Sequence, residues 1–146
     1  MTTLAWAPAL TLDNEVMDHT HGEFVELLNA LGAAGPQDVL AAMDAFVEHT
    51  EQHFAEEERW MQESAFPPLG CHQNQHRMVL DVAREVRKRI AKGETTLAEP
   101  LATAVAEWFG DHVAVMDSIL KQYMDMQGYV PVMEPRAAPT LRKKAV

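Results

Sequence analysis

The stretch HFAEEERWMQES, residues 53–64, decides how the rest of the chain is read. It holds one histidine, three consecutive glutamates, then Trp60 and Met61, a mixture that suits either the wet side of a helix or part of a metal site. Spacing begins to separate the two. His53 and Glu57 are four residues apart, so on a helix both project from one face. Glu56 and Glu58 lie about 100° to either side and are expected to face solvent. Upstream, Met43, Phe46 and Thr50 step by three and four into His53, Glu57 and Trp60. The spacing therefore predicts a helix that has Pro36 in its first turn and runs to about Ser64.

The same stepping recurs three more times. From Asp13 to about Ala33, Met17, His21, Phe24, Leu28 and Leu31 mark one helical face. After the break SAFPPLG, a third stripe carries His72, His76, Val79, Ala83, Val86 and Ile90, with Gly93 placed to cap it. A fourth carries Leu101, Val105, Trp108, His112, Val115 and Ile119, with Pro100 tolerable in its first turn and Gly128 near its end. No strand pattern competes, so the fold class is all-α: an antiparallel up-down-up-down four-helix bundle over residues 1–128, its N-terminal arm included. Residues 129–146 contain Pro131, Pro135 and Pro139, which forbid helix. They predict a Pro-rich extended C-terminal tail, lying on the bundle or left mobile.

Composition narrows the function classes. With 146 residues, 47% of them apolar and 23% charged, the chain matches one ordinary globular domain. A net charge of −10 opposes nucleic acid and anionic membrane as general partners. The basic residues crowd into two places, Arg84 to Lys92 and Arg136 to Lys144; the first reads as the solvated side of a helix and the second as a solvated terminus. No stretch has the roughly 20 apolar residues that span a bilayer. Cys71 is the lone cysteine and the first residues lack an apolar signal core, so a cytoplasmic location is expected, with an ordinary thiol at Cys71.

Five of the seven histidines, His21, His53, His72, His76 and His112, fall on the four apolar stripes. A solitary histidine on such a face is ordinarily a hydrogen-bonded core residue. Five of them in one small core would need many internal partners, whereas a metal accepts each neutral ring nitrogen directly. His72 and His76 in HQNQH are also four apart, the spacing that lets two rings grip one ion. Asp117 follows His112 by five, which turns about 140° on a regular helix. It shares a stripe with Val113, Leu120 and Met124 and reaches the same centre if the helix carries a local wide turn. His49, one turn before His53, is expected beside the site or on the surface, and His19 is expected to be exposed.

Four motifs in order, MDHTHGEF, HFAEEERWM, HQNQH and WFGDHVAVMD, make the sequence resemble the hemerythrin family, in its single-domain bacterial form. Trp6 fits that family's N-terminal arm, and the similarity covers about residues 6 to 124. The resemblance implies a non-haem di-iron centre whose metal ligands are His21, His53, Glu57, His72, His76, His112 and Asp117. It implies His72, His76 and His112 on one iron, His21 and His53 on the other, and Glu57 and Asp117 bridging both beside an oxo or hydroxo group. One open iron position would then take O2 as ligand. Met17, Phe24, Trp60, Trp108, Phe109 and Ile119 are expected to pack around the centre and keep water away.

The implied function is reversible O2 binding for carriage, storage or delivery to an oxygen-using enzyme, by a monomer with no nucleic acid partner and no stable membrane insertion. That makes the chain an oxygen-binding protein rather than an enzyme. The alternatives are turnover or sensing of O2, peroxide or NO at the same irons, and iron storage. Carboxylate-rich bundle sites favour oxygen activation, and two acidic ligands among seven weigh against it.

Overall fold

The computed structural model describes residues 10–133. Trp6 and the Arg136 to Lys144 cluster lie outside the described residues. Among the described residues the secondary structure is helical throughout: α1 (Glu15–Ala33), α2 (Val39–Glu63), α3 (Leu69–Ala91), α4 (Ala98–His112) and α5 (Ser118–Gln127). A π-helical turn, Val113–Asp117, joins α4 and α5 into one rod, so the segments make four rods. α1 and α3 each pack against α2 and α4, the neighbour pattern of an up-down-up-down bundle.

Local chemistry sets the helix ends. Asn14 caps α1 by accepting the Met17 N–H at 3.1 Å, and Asp18 reaches back to accept the N–H groups of Leu12 and Asn14. The aspartate of the first motif therefore pins the incoming arm. Pro36 sits in a turn ahead of α2 rather than within it, because the Gly35 carbonyl accepts both Asp38 and Val39 N–H groups and delays the first helical turn. Gly93 and Gly128 have φ of 107° and 70°, and the chain folds back over each with a bond from the next residue's N–H to Arg89 and Met124 carbonyls respectively.

Two apolar clusters fill the bundle. Phe24, Leu28, Leu31, Met43, Phe46, Ile90 and Leu101 belong to one, and Met17, Trp60, Met61, Phe66, Leu120 and Met124 to the other. On every rod the polar inward residues fall between the two clusters. Residues 129–133 then lie against α2: the Tyr129 hydroxyl donates to Glu63 at 2.6 Å, and Trp60 Nε1 and Arg59 both donate to the Val132 carbonyl.

One part of the fourth stripe is corrected. Val115 and Ile119 are 57% and 49% exposed, and Ile119 does not pack around the centre. The extra residue in the π turn rotates everything after it, so Val113, Asp117, Leu120 and Met124 take the inward positions.

α2 ends in a left-handed residue that is not glycine. Ala65 has φ 56° while Phe66 N–H bonds the Met61 carbonyl and Ala65 N–H that of Gln62. Replacing Ala65→Gly removes the Cβ cost of that conformation and should raise stability by about 0.5–1 kcal/mol, read as a higher urea midpoint. An unchanged midpoint would show that the turn carries no strain.

Candidate metal centre

The π turn brings His112 and Asp117 onto one face, with Nε2 and Oδ1 3.2 Å apart, where a regular helix would separate them. His53 and Glu57 come from α2, His72 and His76 from α3, and His21 from α1. All seven side chains are at most 3% exposed.

The two carboxylates divide their oxygens. Glu57 Oε2 faces His53 at 2.8 Å and His21 at 3.6 Å, while Oε1 faces His72 and His76, both at 3.3 Å. Asp117 Oδ2 faces His21 at 3.2 Å, while Oδ1 faces His72 at 3.1 Å and His112 at 3.2 Å. Glu57, His72, His76, His112 and Asp117 thus form one group that could hold a metal ion, and His21, His53 and Glu57 a second that shares the glutamate.

Whether these residues suit a metal is tested by their hydrogen bonding. Both ring nitrogens of His21, Nε2 of His76, Oε1 of Glu57 and both oxygens of Asp117 are buried with no hydrogen-bond partner among the described residues. His72 Nε2 and His112 Nε2 stand only 3.2 Å apart. Buried polar atoms ordinarily pair, and these instead crowd toward common points without aligning on one another. A cation at those points satisfies them together, so the donor set fits a metal pair.

Proton affinities follow the same geometry. Burial disfavours a charged His21, but contact with Asp117 and Glu57 outweighs it and lifts the ring to about 9. His72, likewise buried, is lifted to about 10 by the same two carboxylates. His53 is lowered because burial outweighs its contact with Glu57. Both carboxylates sit low despite burial, since the surrounding imidazoles favour their ionised forms. Without metal, protons on His21 and His72 offset the two buried negative charges.

Aromatic walls fix the rings. Phe54 lies flat on His76 with centroids 3.8 Å apart, Trp108 stacks on His112 at 4.3 Å, and Phe109 meets His21 edge-on at 5.3 Å. The Trp108 indole N–H donates to Gln75 Oε1. His49 touches His53 ring to edge and bonds Glu23, and His19 and Cys71 are exposed.

The expectation that Glu56 and Glu58 both face solvent is corrected. Glu56 is 6% exposed and accepts from Arg59, because residues up to 133 cover that side of α2. Glu58 leans toward α3, its Oε2 3.3 Å from His76 Nδ1 and its Oε1 accepting from Gln73. Sequence reasoning missed Glu58, Gln73 and Gln75 as supports of the site. The glutamines between the paired histidines of HQNQH were the available signal, since they flank the ligand face.

The metal-free protein should lose stability between about pH 7 and about pH 10. Over that range the carboxylates are ionised in both folded and unfolded chains, burial keeps His53 toward its neutral form in the fold, and His76, buried yet raised by Glu57 and Glu58, adds to the loss in the same direction. His21 and His72 have folded values raised above 6.5 to about 9 and 10, so the stability they contribute is complete below 6.5 and is lost as pH rises through those values. Denaturant unfolding of chelator-treated protein checks this. Metal should flatten the profile, since coordinated nitrogens carry no proton.

Comparison with known proteins agrees with this architecture. The family model described as Hemerythrin HHE cation binding domain matches residues 12–124. A bacteriohemerythrin of Ralstonia nicotianae is 44% identical over 128 residues, covering 88% of this chain and 93% of its own. One of Stenotrophomonas maltophilia is 31% identical over 117 residues, covering 77% of this chain and 76% of its own. A crystal structure of wild-type hemerythrin has the same fold, with a TM-score of 0.77 at 20% identity, over 84% of this chain and 98% of that one. The matched span begins in the arm pinned by Asp18 and ends in the last turn of α5, and the chain belongs to the hemerythrin family.

Proposed function

We propose that the chain binds O2 reversibly at two non-haem irons bridged by an oxo or hydroxo group. In this reading His72, His76 and His112 hold one iron, His21 and His53 the other, and Glu57 and Asp117 span both. The observation that carries it is the division of each carboxylate, one oxygen toward the two-histidine group and the other toward the three-histidine group. When bound, the iron pair supplies the redox chemistry that holds and releases O2.

The chain's own residues do the rest. Neutral imidazoles favour the ferrous state without adding negative charge, and the two ionised carboxylates balance part of the metal charge. His53 is already biased to its neutral, ligating form by burial, while His21 and His72 release protons on loading. Met17, Phe24, Trp60 and Phe109, each about 1% exposed or less, exclude bulk water, which favours release of O2 over its reduction. The structure has no helix among the described residues long and apolar enough to cross a membrane. The reading makes the protein a cytoplasmic monomer that carries, stores or delivers O2 to an oxygen-using enzyme; the free, exposed Cys71 thiol fits a reducing compartment.

Metal analysis should find about two irons per chain, and the absorption spectrum of the reduced protein should change on exposure to air and revert when O2 is removed. Rapid, irreversible conversion with repeated turnover of peroxide or NO would replace carriage with catalysis. Glu57→Ala should lose the paired site, leaving at most one iron per chain, because both metal groups share that carboxylate.

A further inference from the structure

One of the five rings has support that the other four lack. His76 Nδ1 lies 3.3 Å from Glu58 Oε2, whereas Nδ1 of His21, His53, His72 and His112 has no hydrogen-bond partner among the described residues. A carboxylate only accepts, so this contact requires a proton on His76 Nδ1 and makes Nε2, 3.3 Å from Glu57 Oε1, the ring nitrogen that would bind metal. Glu58 is itself steadied from the same helix, since Gln73, three residues before His76, donates to its other oxygen at 3.4 Å. The parallel stack on Phe54, with an interplanar angle of 4°, sets the plane of the His76 ring; Glu58 sets its rotation within that plane. The Glu58 side chain is 31% exposed, so it contributes little to core packing.

We propose that Glu58 is a positioning residue for the three-histidine pocket, acting through His76 to make that pocket the tighter of the two and the first to take metal. The proposal rests on the paired-metal reading above. A hydrogen-bonded carboxylate behind a ligating imidazole fixes its tautomer and strengthens its donor nitrogen. The pocket it supports already gathers three histidines against two in the other, with Glu57 and Asp117 facing both. Glu58 widens that difference, and the order of loading follows.

The test is a titration of the metal-free full chain with Co(II), followed by the visible absorption of the coordinated ion, in wild type, Glu58→Gln and Glu58→Ala. Wild type should take up cobalt in two steps. Glu58→Ala should weaken the first step by about 10- to 100-fold and leave the second within about twofold. Glu58→Gln should lose less, about 3- to 10-fold, because its amide oxygen still accepts from Nδ1 but carries no charge. Helical circular dichroism and the unfolding midpoint of the metal-free variants should match wild type; if Glu58→Ala does not fold, the Gln variant decides by the same selective loss. Equal weakening of both steps, or of neither, overturns the role of Glu58. A single cobalt per wild-type chain overturns the paired-metal reading and with it the order of loading; weaker binding of that one ion in Glu58→Ala then upholds the positioning role through His76, while no loss removes both.

Discussion

Two carboxylates and five imidazoles, buried together at the middle of a small bundle, are the constraint on which everything else depends. An isolated buried carboxylate costs several kcal/mol even after relaxation, and here two lie side by side. The compensation is local. Each oxygen of Glu57 and Asp117 faces imidazole nitrogens, and without metal the protons on His21 and His72 cancel the pair's charge. The polar layer is thereby balanced within itself, and two apolar clusters close over it from both ends of the bundle.

Helix geometry limits how such a layer can be assembled. Three rods deliver their residues by regular spacing, one from α1 and pairs four apart from α2 and α3. The fourth rod departs from this, and its π turn brings a histidine and an aspartate five apart to the same centre. The departure reaches beyond the site. Every inward residue after Asp117 is set by that extra residue, so the apolar seal from Leu120 and Met124 and the inward position of Asp117 share one cause. π bulges are frequent at functional sites for this reason: they place a side chain that a regular helix cannot.

Around the centre, the rings are oriented by groups that do not point into it. Phe54 and Trp108 press flat on His76 and His112, Gln75 holds the Trp108 indole, and Glu58 with Gln73 holds the edge of His76. Most of this support gathers on the α3 and α4 side. The two-histidine side is bounded instead by Phe24, Phe109 and His49, which pack against His21 and His53 without carboxylate support behind either ring. The two halves of the layer thus differ in what holds their rings as well as in the number of histidines.

Much of this was determined by the sequence alone. Periodicity of three and four is imposed by the helix itself, so the four rods, the inward histidines and the His53 and Glu57 pair of the opening stretch were all readable from spacing. The glycines at residues 93 and 128 were readable as caps because a left-handed residue favours glycine. Tertiary structure alone decided what lies beside each stripe. Glu56 and Glu58 are both about 100° from Glu57, and nothing in the sequence says that one is covered by residues up to 133 while the other meets His76 on α3. Likewise the fate of Val115 and Ile119 turned on whether a wide turn forms before Ser118, and that is set by the whole inward layer rather than by local propensity. Spacing along one helix fixes which residues share a face; only packing between helices fixes what that face, and its flanks, will touch.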